Sequence, residues 1–152
     1  MVEDARAIAE IQVASWRAAY RGLVPDEFLD AFTPAARQAR WAARLQASEG
    51  DTYVTDGGFC SVVRPARDAS APVELAALYV APHRWRSGLG SALVEAALPL
   101  DEEVTLWVFR DNPTARAFYE AHGFFDDGAE ATDPGTGVLE IRMRRAACAR
   151  AR

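Results

Sequence analysis

The stretch from Leu78 to Leu93 constrains this chain more than any other. Apolar residues Leu78, Tyr79, Val80 and Ala81 run into Pro82, a basic turn follows with Arg84, Trp85 and Arg86, and Gly88-Leu89-Gly90 opens a helical pattern. Proline cannot donate to a sheet ladder, so a strand over 73–80 stops there. Leu89 and Leu93 stand four apart, on one face of a helix predicted over 88–98, and Pro99 ends it. A second apolar run follows at 104–109. Strand, helix, strand in that order is the crossover that two parallel strands require. The chain is therefore predicted to build a mixed α/β sheet.

The same turn carries a chemical reading. A helix N-terminus at the mouth of a strand offers unpaired N–H groups and the positive end of a dipole, which together hold an anion. Glycines at 88 and 90 let that anion approach the backbone with no Cβ in the way. Arg84 and Arg86 flank the turn, and the most economical ligand is a diphosphate. A glycine turn before a helix is also an ordinary turn, and this segment alone does not choose between the two.

A second segment does. Residues 105–124 read as strand, turn, helix and strand, with Asn112 as the helix cap, Pro113 in its first turn and Gly123 at its end. Val80, Pro82, Gly88, Gly90 and Leu93 resemble the V-x-P-x-x-[QR]-x-x-G-x-G-x-x-L element of the GNAT superfamily of N-acetyltransferases. Asn112, Ala115, Phe118, Tyr119, Gly123 and Phe124 resemble its N-x-x-A-x-x-F-Y-x-x-x-G-F element. The resemblance departs at Trp85, where the family carries Gln or Arg, and at the N-terminus, where its usual first strand is missing or very short. Which of the two arginines meets a phosphate is left open.

The resemblance implies a GNAT-like fold: a mostly antiparallel sheet with one splayed parallel pair, flanked by helices. It implies acetyl-CoA as cosubstrate, no metal, and direct acetyl transfer to a primary amine. The acceptor stays open between a small molecule and a peptide N-terminus. By resemblance, residues Arg86, Ser87, Gly88, Leu89, Gly90 and Ser91 hold the pyrophosphate. The backbone of Leu78, Tyr79 and Val80 lies along the pantetheine and supplies an oxyanion donor. Asn112 bonds the pantetheine as well as capping its helix. Tyr119 matches the family's tyrosine near the sulfur, and a phenol with a pKa near ~10 is protonated at neutral pH and able to donate to a thiolate. Glu74, at the start of an apolar strand and 90 − 74 = 16 residues before Gly90, stands at the offset where some members carry a base. Its alternative is a strand-end glutamate in solvent. Trp16, Arg17, Tyr20, Phe28 and Trp41 fall in the region that forms the acceptor side in relatives, or else they are core. A non-catalytic CoA-binding or regulatory module of the same fold is the rival reading.

Composition narrows the rest. At 152 residues the chain is expected to form one domain, 1–152, with a sizeable core. A net charge of −5 argues against a general nucleic-acid binder. No apolar run approaches the roughly 18 residues of a membrane span, so a cytoplasmic location is expected, without a membrane partner. A homodimer is compatible with the sequence. Cys60 and Cys148 are far apart, without metal-ligand spacing, and read as structural thiols. The basic end (Arg142, Arg144, Arg145, Arg150 and Arg152) reads as solvated.

Overall fold

A computed structural model describes residues 1–149; Arg150 and Arg152 lie outside the described residues. After a short 3-10 turn at Val2–Asp4 come α1 (Ala5–Tyr20), α2 (Asp26–Ala31) and α3 (Pro34–Gln46). Then follow β1 (Asp51–Thr55), β2 (Gly58–Val63), β3 (Val73–Val80), α4 (Leu89–Ala97), β4 (Val104–Phe109), α5 (Pro113–Ala121), β5 (Phe125–Thr132) and β6 (Leu139–Arg145). The six strands form one sheet in the order β1-β2-β3-β4-β6-β5. The β3–β4 pair is parallel, registered at Val73↔Val104 and Glu74↔Thr105, and β6 runs antiparallel between β4 and β5. This is the predicted fold, including the absence of a strand before α1 among the described residues. No described helix is long and apolar enough to cross a membrane.

The chain divides into two compact units, with boundaries within β2, within β3 and after α4. The first comprises Met1–Ser61 and Ala77–Ala97. Its core is Ala5, Ile8, Ile11, Trp41 and Phe59, with Ala77 and Tyr79 packed against it. Thr33 caps α3, its Oγ1 accepting the Ala36 N–H at 3.3 Å, with Pro34 in the first turn. Trp41, 2% exposed, meets Phe59 edge-on at 5.2 Å and donates its indole N–H to Gln12 Oε1 at 2.9 Å. Ala18, at helical spacing from Ile8, Ile11 and Ser15, is nonetheless exposed. The last turn of α1 packs through Trp16 instead, which stacks on Phe32 at 4.4 Å and lies 6.0 Å from Phe28, both rings contributed by α2 and its C-cap. The inward stripe of α1 therefore ends at Ser15 and Trp16.

The second unit comprises Val62–Ala76 and the chain from Leu98 onward. Val73, Leu75, Val104, Leu106, Ile141 and Met143 are among its buried apolar residues in the sheet. Along β6, Ile141 and Met143 alternate with Glu140, Arg142 and Arg144, the period-2 pattern of a half-buried strand. β5 is an edge strand with a register irregularity between Asp126 and Glu130, and its acidic residues discourage edge-to-edge pairing.

Candidate functional site

In the first unit, the turn between β3 and α4 is tied down on one side and open on the other. Ala81 N–H donates to Gly57 O at 2.7 Å, and Pro82–Arg84 form a 3-10 turn that the sequence pattern does not foretell. Arg84 folds back onto the β1–β2 hairpin. Its Nη1 donates to Asp56 O and Asp56 Oδ2, both at 3.2 Å, and its Cγ occupies the space a Cβ on Gly57 would need. Trp85 is 46% exposed, yet its indole N–H donates to Val80 O at 2.7 Å. The residue that departs from the family pattern thus fastens the turn to the end of β3.

Beyond Trp85 the turn opens. Arg86 sits at φ 59°, a left-handed conformation that costs a non-glycine residue about 1 kcal/mol. Among the described residues its guanidinium has no ion pair. Gly88 follows at φ 85°, with open space where a Cβ would stand. The first backbone bond of α4 runs from Ala92 N–H to Gly88 O at 3.0 Å, so the Gly90 and Ser91 amides precede the helical ladder. Leu89 N–H contacts Ser87 Oγ at 3.4 Å. Of the two arginines left open by the sequence, Arg84 is committed to the hairpin, whereas Arg86 is not. Leu78, Tyr79 and Val80 are half-buried in the second half of β3, and Tyr79 packs on Phe59 at 5.7 Å.

Trp16, Arg17, Tyr20 and Phe28 are half-buried, whereas Trp41 is core. Arg17 donates to the carbonyls of Leu29 and Phe32 and thereby ends α2.

In the second unit, Asn112 Oδ1 accepts the Ala115 N–H at 3.2 Å, the expected cap of α5. Tyr119 lies half-buried on that helix, its ring edge-on to Phe118 at 5.4 Å and to Phe124 at 5.9 Å. Glu74 is not the solvent-exposed strand-end glutamate of the alternative reading. Glu74 is only 1% exposed, and both its oxygens are engaged by Arg67. Oε1 accepts the Arg67 backbone N–H at 3.1 Å, and Oε2 accepts both Nε (2.8 Å) and Nη2. A buried carboxylate is tolerated only when paired in this way, and here the pair anchors the loop before β3.

A cleft of about 250 Å³ in the same unit escaped the sequence reading. Arg67, Trp107, Asp133 and Glu140 are among the residues that line it. Trp107 is fixed by its indole N–H to Asp68 Oδ2 (3.1 Å) and by the Arg142 guanidinium 5.8 Å from its ring centroid. Burial tends to raise the Asp68 carboxyl, but hydrogen bonds from Ser70, Arg142 and Trp107 outweigh it and hold it at about 2. Glu140 goes the other way. Burial, then the charge and hydrogen bond of Asp133, raise it to about 7. The available signal was faint: Glu140 is the one acid on the polar face of an otherwise arginine-bearing strand.

A family model described as an acetyltransferase (GNAT) domain matches residues 41–125, which is 85 of the 152. The chain belongs to the GNAT acetyltransferase family. It is an acetyltransferase by that membership. It is 27% identical over 135 residues to an uncharacterised N-acetyltransferase of Bacillus subtilis, covering 80% of this chain and 75% of that protein. A probable N-acetyltransferase of Mycobacterium tuberculosis is 26% identical over 145 residues, covering 86% and 80%. Among solved structures, a GCN5-related N-acetyltransferase from Rhodopseudomonas palustris superposes with a TM-score of 0.70 at 24% identity, covering 95% of this chain and 90% of that one. The PaiA N-acetyltransferase of Thermoplasma acidophilum, solved with coenzyme A, gives 0.66 at 20% identity, covering 95% and 94%. These structural likenesses establish the GNAT fold.

Proposed function

We propose that this acetyltransferase moves an acetyl group from acetyl-CoA directly to a primary amine, with residues 86–91 gripping the pyrophosphate and Tyr119 protonating the departing thiolate. The observation that carries the reading is the open turn. Arg86 holds a left-handed backbone at a cost, its guanidinium without an ion pair among the described residues, beside a glycine with nothing over it and amides ahead of the α4 ladder. Strain of this kind persists where a ligand site makes use of it. The T. acidophilum neighbour, which binds coenzyme A in its crystal, supports the same ligand. The backbone of Leu78, Tyr79 and Val80 would accompany the pantetheine, and Asn112 would add a bond to it beyond its cap.

Direct transfer needs no nucleophilic side chain. Cys60 is buried and its thiol is pushed up to about 11 by that burial, the opposite of an activated thiolate. The proton of the acceptor must leave before attack, and Glu74, held on both oxygens by Arg67, serves better as the loop anchor than as that base. A small amine and a peptide N-terminus both satisfy the chemistry.

Acetyl-CoA at 100-fold over its dissociation constant should stabilise the folded protein by about 2.7 kcal/mol, read as a rise in Tm. Gly88→Glu should abolish the rise by placing bulk and charge at the turn. Tyr119→Phe should keep it while turnover on an accepted amine falls by ~10²–10⁴-fold. No rise in the wild type at millimolar acetyl-CoA would sink the cofactor reading. A full rise with no turnover on any of a broad amine panel would favour a binding module over an enzyme.

A further inference from the structure

We infer that Trp85 is a positioning residue for the cosubstrate: its indole N–H, bonded to Val80 O, fixes the spacing between the anion turn and the part of β3 that pairs with the pantetheine arm. The inference rests on the acetyl-CoA reading above and concerns residues of the first unit alone.

The direction of one peptide group carries the argument. A trans peptide points its C=O and its N–H in opposite directions. In the group joining Val80 to Ala81, the N–H goes to Gly57 O in the β1–β2 hairpin at 2.7 Å. Val80 O therefore emerges from the edge of β3 away from β2. In an extended strand the N–H and C=O of one residue share an edge, and those of the next residue face the other. Leu78 and Val80 thus present to the edge away from β2, and Tyr79 presents to β2. The ladder pairs of β3 with β4 are Val73↔Val104 and Glu74↔Thr105, at the start of the strand.

An arm lying along β3 as an added strand pairs with the groups of that edge. They are the N–H and C=O of Leu78 and the N–H of Val80. The next group, Val80 O, is occupied by the indole at 2.7 Å. Pairing along β3 therefore ends at the Val80 N–H, and the turn begins directly beyond it.

Trp85 suits this task. An indole has one donor and no acceptor, so it caps a carbonyl and offers the arm nothing else to bond. With two side-chain torsions it holds a distance more rigidly than a longer polar chain. At 46% exposure the ring is not there to fill a core. Next to it, Arg86 at φ 59° swings the chain into the anion turn, and Ser87 Oγ closes that turn by donating to Arg84 O. Arg84 ties the same turn to the hairpin through Asp56, on the side of β3 that the arm does not meet. Trp85 is thus the side-chain link between the turn and the arm's edge. A ligand that spans both gains from having them held at a fixed separation, and a ligand that meets the turn alone does not.

Hydrogen exchange in the wild type is the first test. The Trp85 indole N–H, assigned from its sequential neighbours, should exchange about tenfold more slowly than that of N-acetyltryptophanamide, although its ring is half exposed. Saturating acetyl-CoA should slow it further, and ADP, which carries the diphosphate without the arm, should not. Exchange at the rate of a free indole, or no further slowing by acetyl-CoA, would overturn the inference. The second test is Trp85→Phe, which keeps a ring and removes the donor. Acetyl-CoA should bind it about fivefold more weakly by calorimetry. ADP, followed through the Gly88, Gly90 and Ser91 amides, should bind within about twofold of its wild-type affinity. A general loss of stability would move both ligands alike. Equal weakening of both, or of neither, therefore overturns the positioning role while wild-type binding of acetyl-CoA keeps the cofactor reading standing. A wild type that binds no acetyl-CoA, or whose turn amides ignore ADP, sinks the cofactor reading at that turn and the positioning role with it.

Discussion

The turn before α4 and the cleft beside Trp107 are built from different materials. The turn is backbone: amides, a left-handed arginine and a glycine, contiguous over a few residues of the first unit. The cleft is side chain, gathered in the second unit from the loop before β3, from β4, from the β5–β6 loop and from β6. A backbone site needs particular φ values and open approach, and those requirements leave a fixed spacing of glycines. A side-chain site needs only that distant positions share a face, and that leaves no local spacing at all.

The cores of the two units differ in the same sense, and the largest expected effect tests this. The first unit closes on aromatic packing. Trp41→Ala removes a ring that meets Phe59 and Arg44 and frees the Gln12 acceptor. A loss of about 3–5 kcal/mol is expected, the usual range for a buried large aromatic, measured by denaturant unfolding. A loss under about 1 kcal/mol would mean that the first unit relaxes freely, and the contrast would fail.

The second unit depends more on paired charge. Asp127, with its side chain 8% exposed, accepts Arg142 Nε at 2.6 Å and Arg144 Nε at 3.2 Å. Burial works to raise its carboxyl, but those arginines and the Ala129 N–H outweigh it and lower it below the ordinary value. A carboxyl lowered by folding contributes stability that is present above its unfolded pKa and is lost as pH falls through the folded one. Asp127→Asn should therefore cost about 2–3 kcal/mol near pH 7, below the full cost of breaking a deeply buried pair because both arginines keep some solvent. Its stability should also fall less than that of the wild type in acid. A parallel acid limb in both proteins would show that the pair is not what the carboxyl titrates against.

What was legible in the sequence follows the same division. Hydrophobic periodicity placed β3, α4 and β4 to within a residue, and the cap at Asn112 placed α5, because those signals are local. The turn over 86–91 was legible for the same reason. Between Arg84 and Arg86 the sequence was mute, since the choice depends on Asp56, far upstream. Glu74 read as a base candidate or a strand-end glutamate in solvent, because nothing in its neighbourhood shows that Arg67 folds back to both its oxygens. The cleft lay further out of reach: Glu140 and Arg67 are 140 − 67 = 73 positions apart.

The smallest expected effect is the sharpest test of the backbone site. Arg86 at φ 59° occupies a region that glycine enters freely and an L side chain does not. If the turn is only a connection, Arg86→Gly relieves strain and changes nothing else. If it is an anion cradle, the same substitution moves two quantities in opposite directions. The unliganded protein should gain about 0.5–1 kcal/mol, since relief of the left-handed backbone exceeds the extra freedom glycine brings to the unfolded chain. Acetyl-CoA binding should weaken about tenfold, the loss of one charge-assisted contact worth ~1.5 kcal/mol. Arg84→Gly is the control. It should destabilise the hairpin through Asp56 while the acetyl-CoA affinity of the folded protein stays near that of the wild type. A higher unliganded Tm with undiminished affinity in Arg86→Gly would return the turn to plain structure, and equal loss of affinity in both variants would return the choice between the arginines to where the sequence left it.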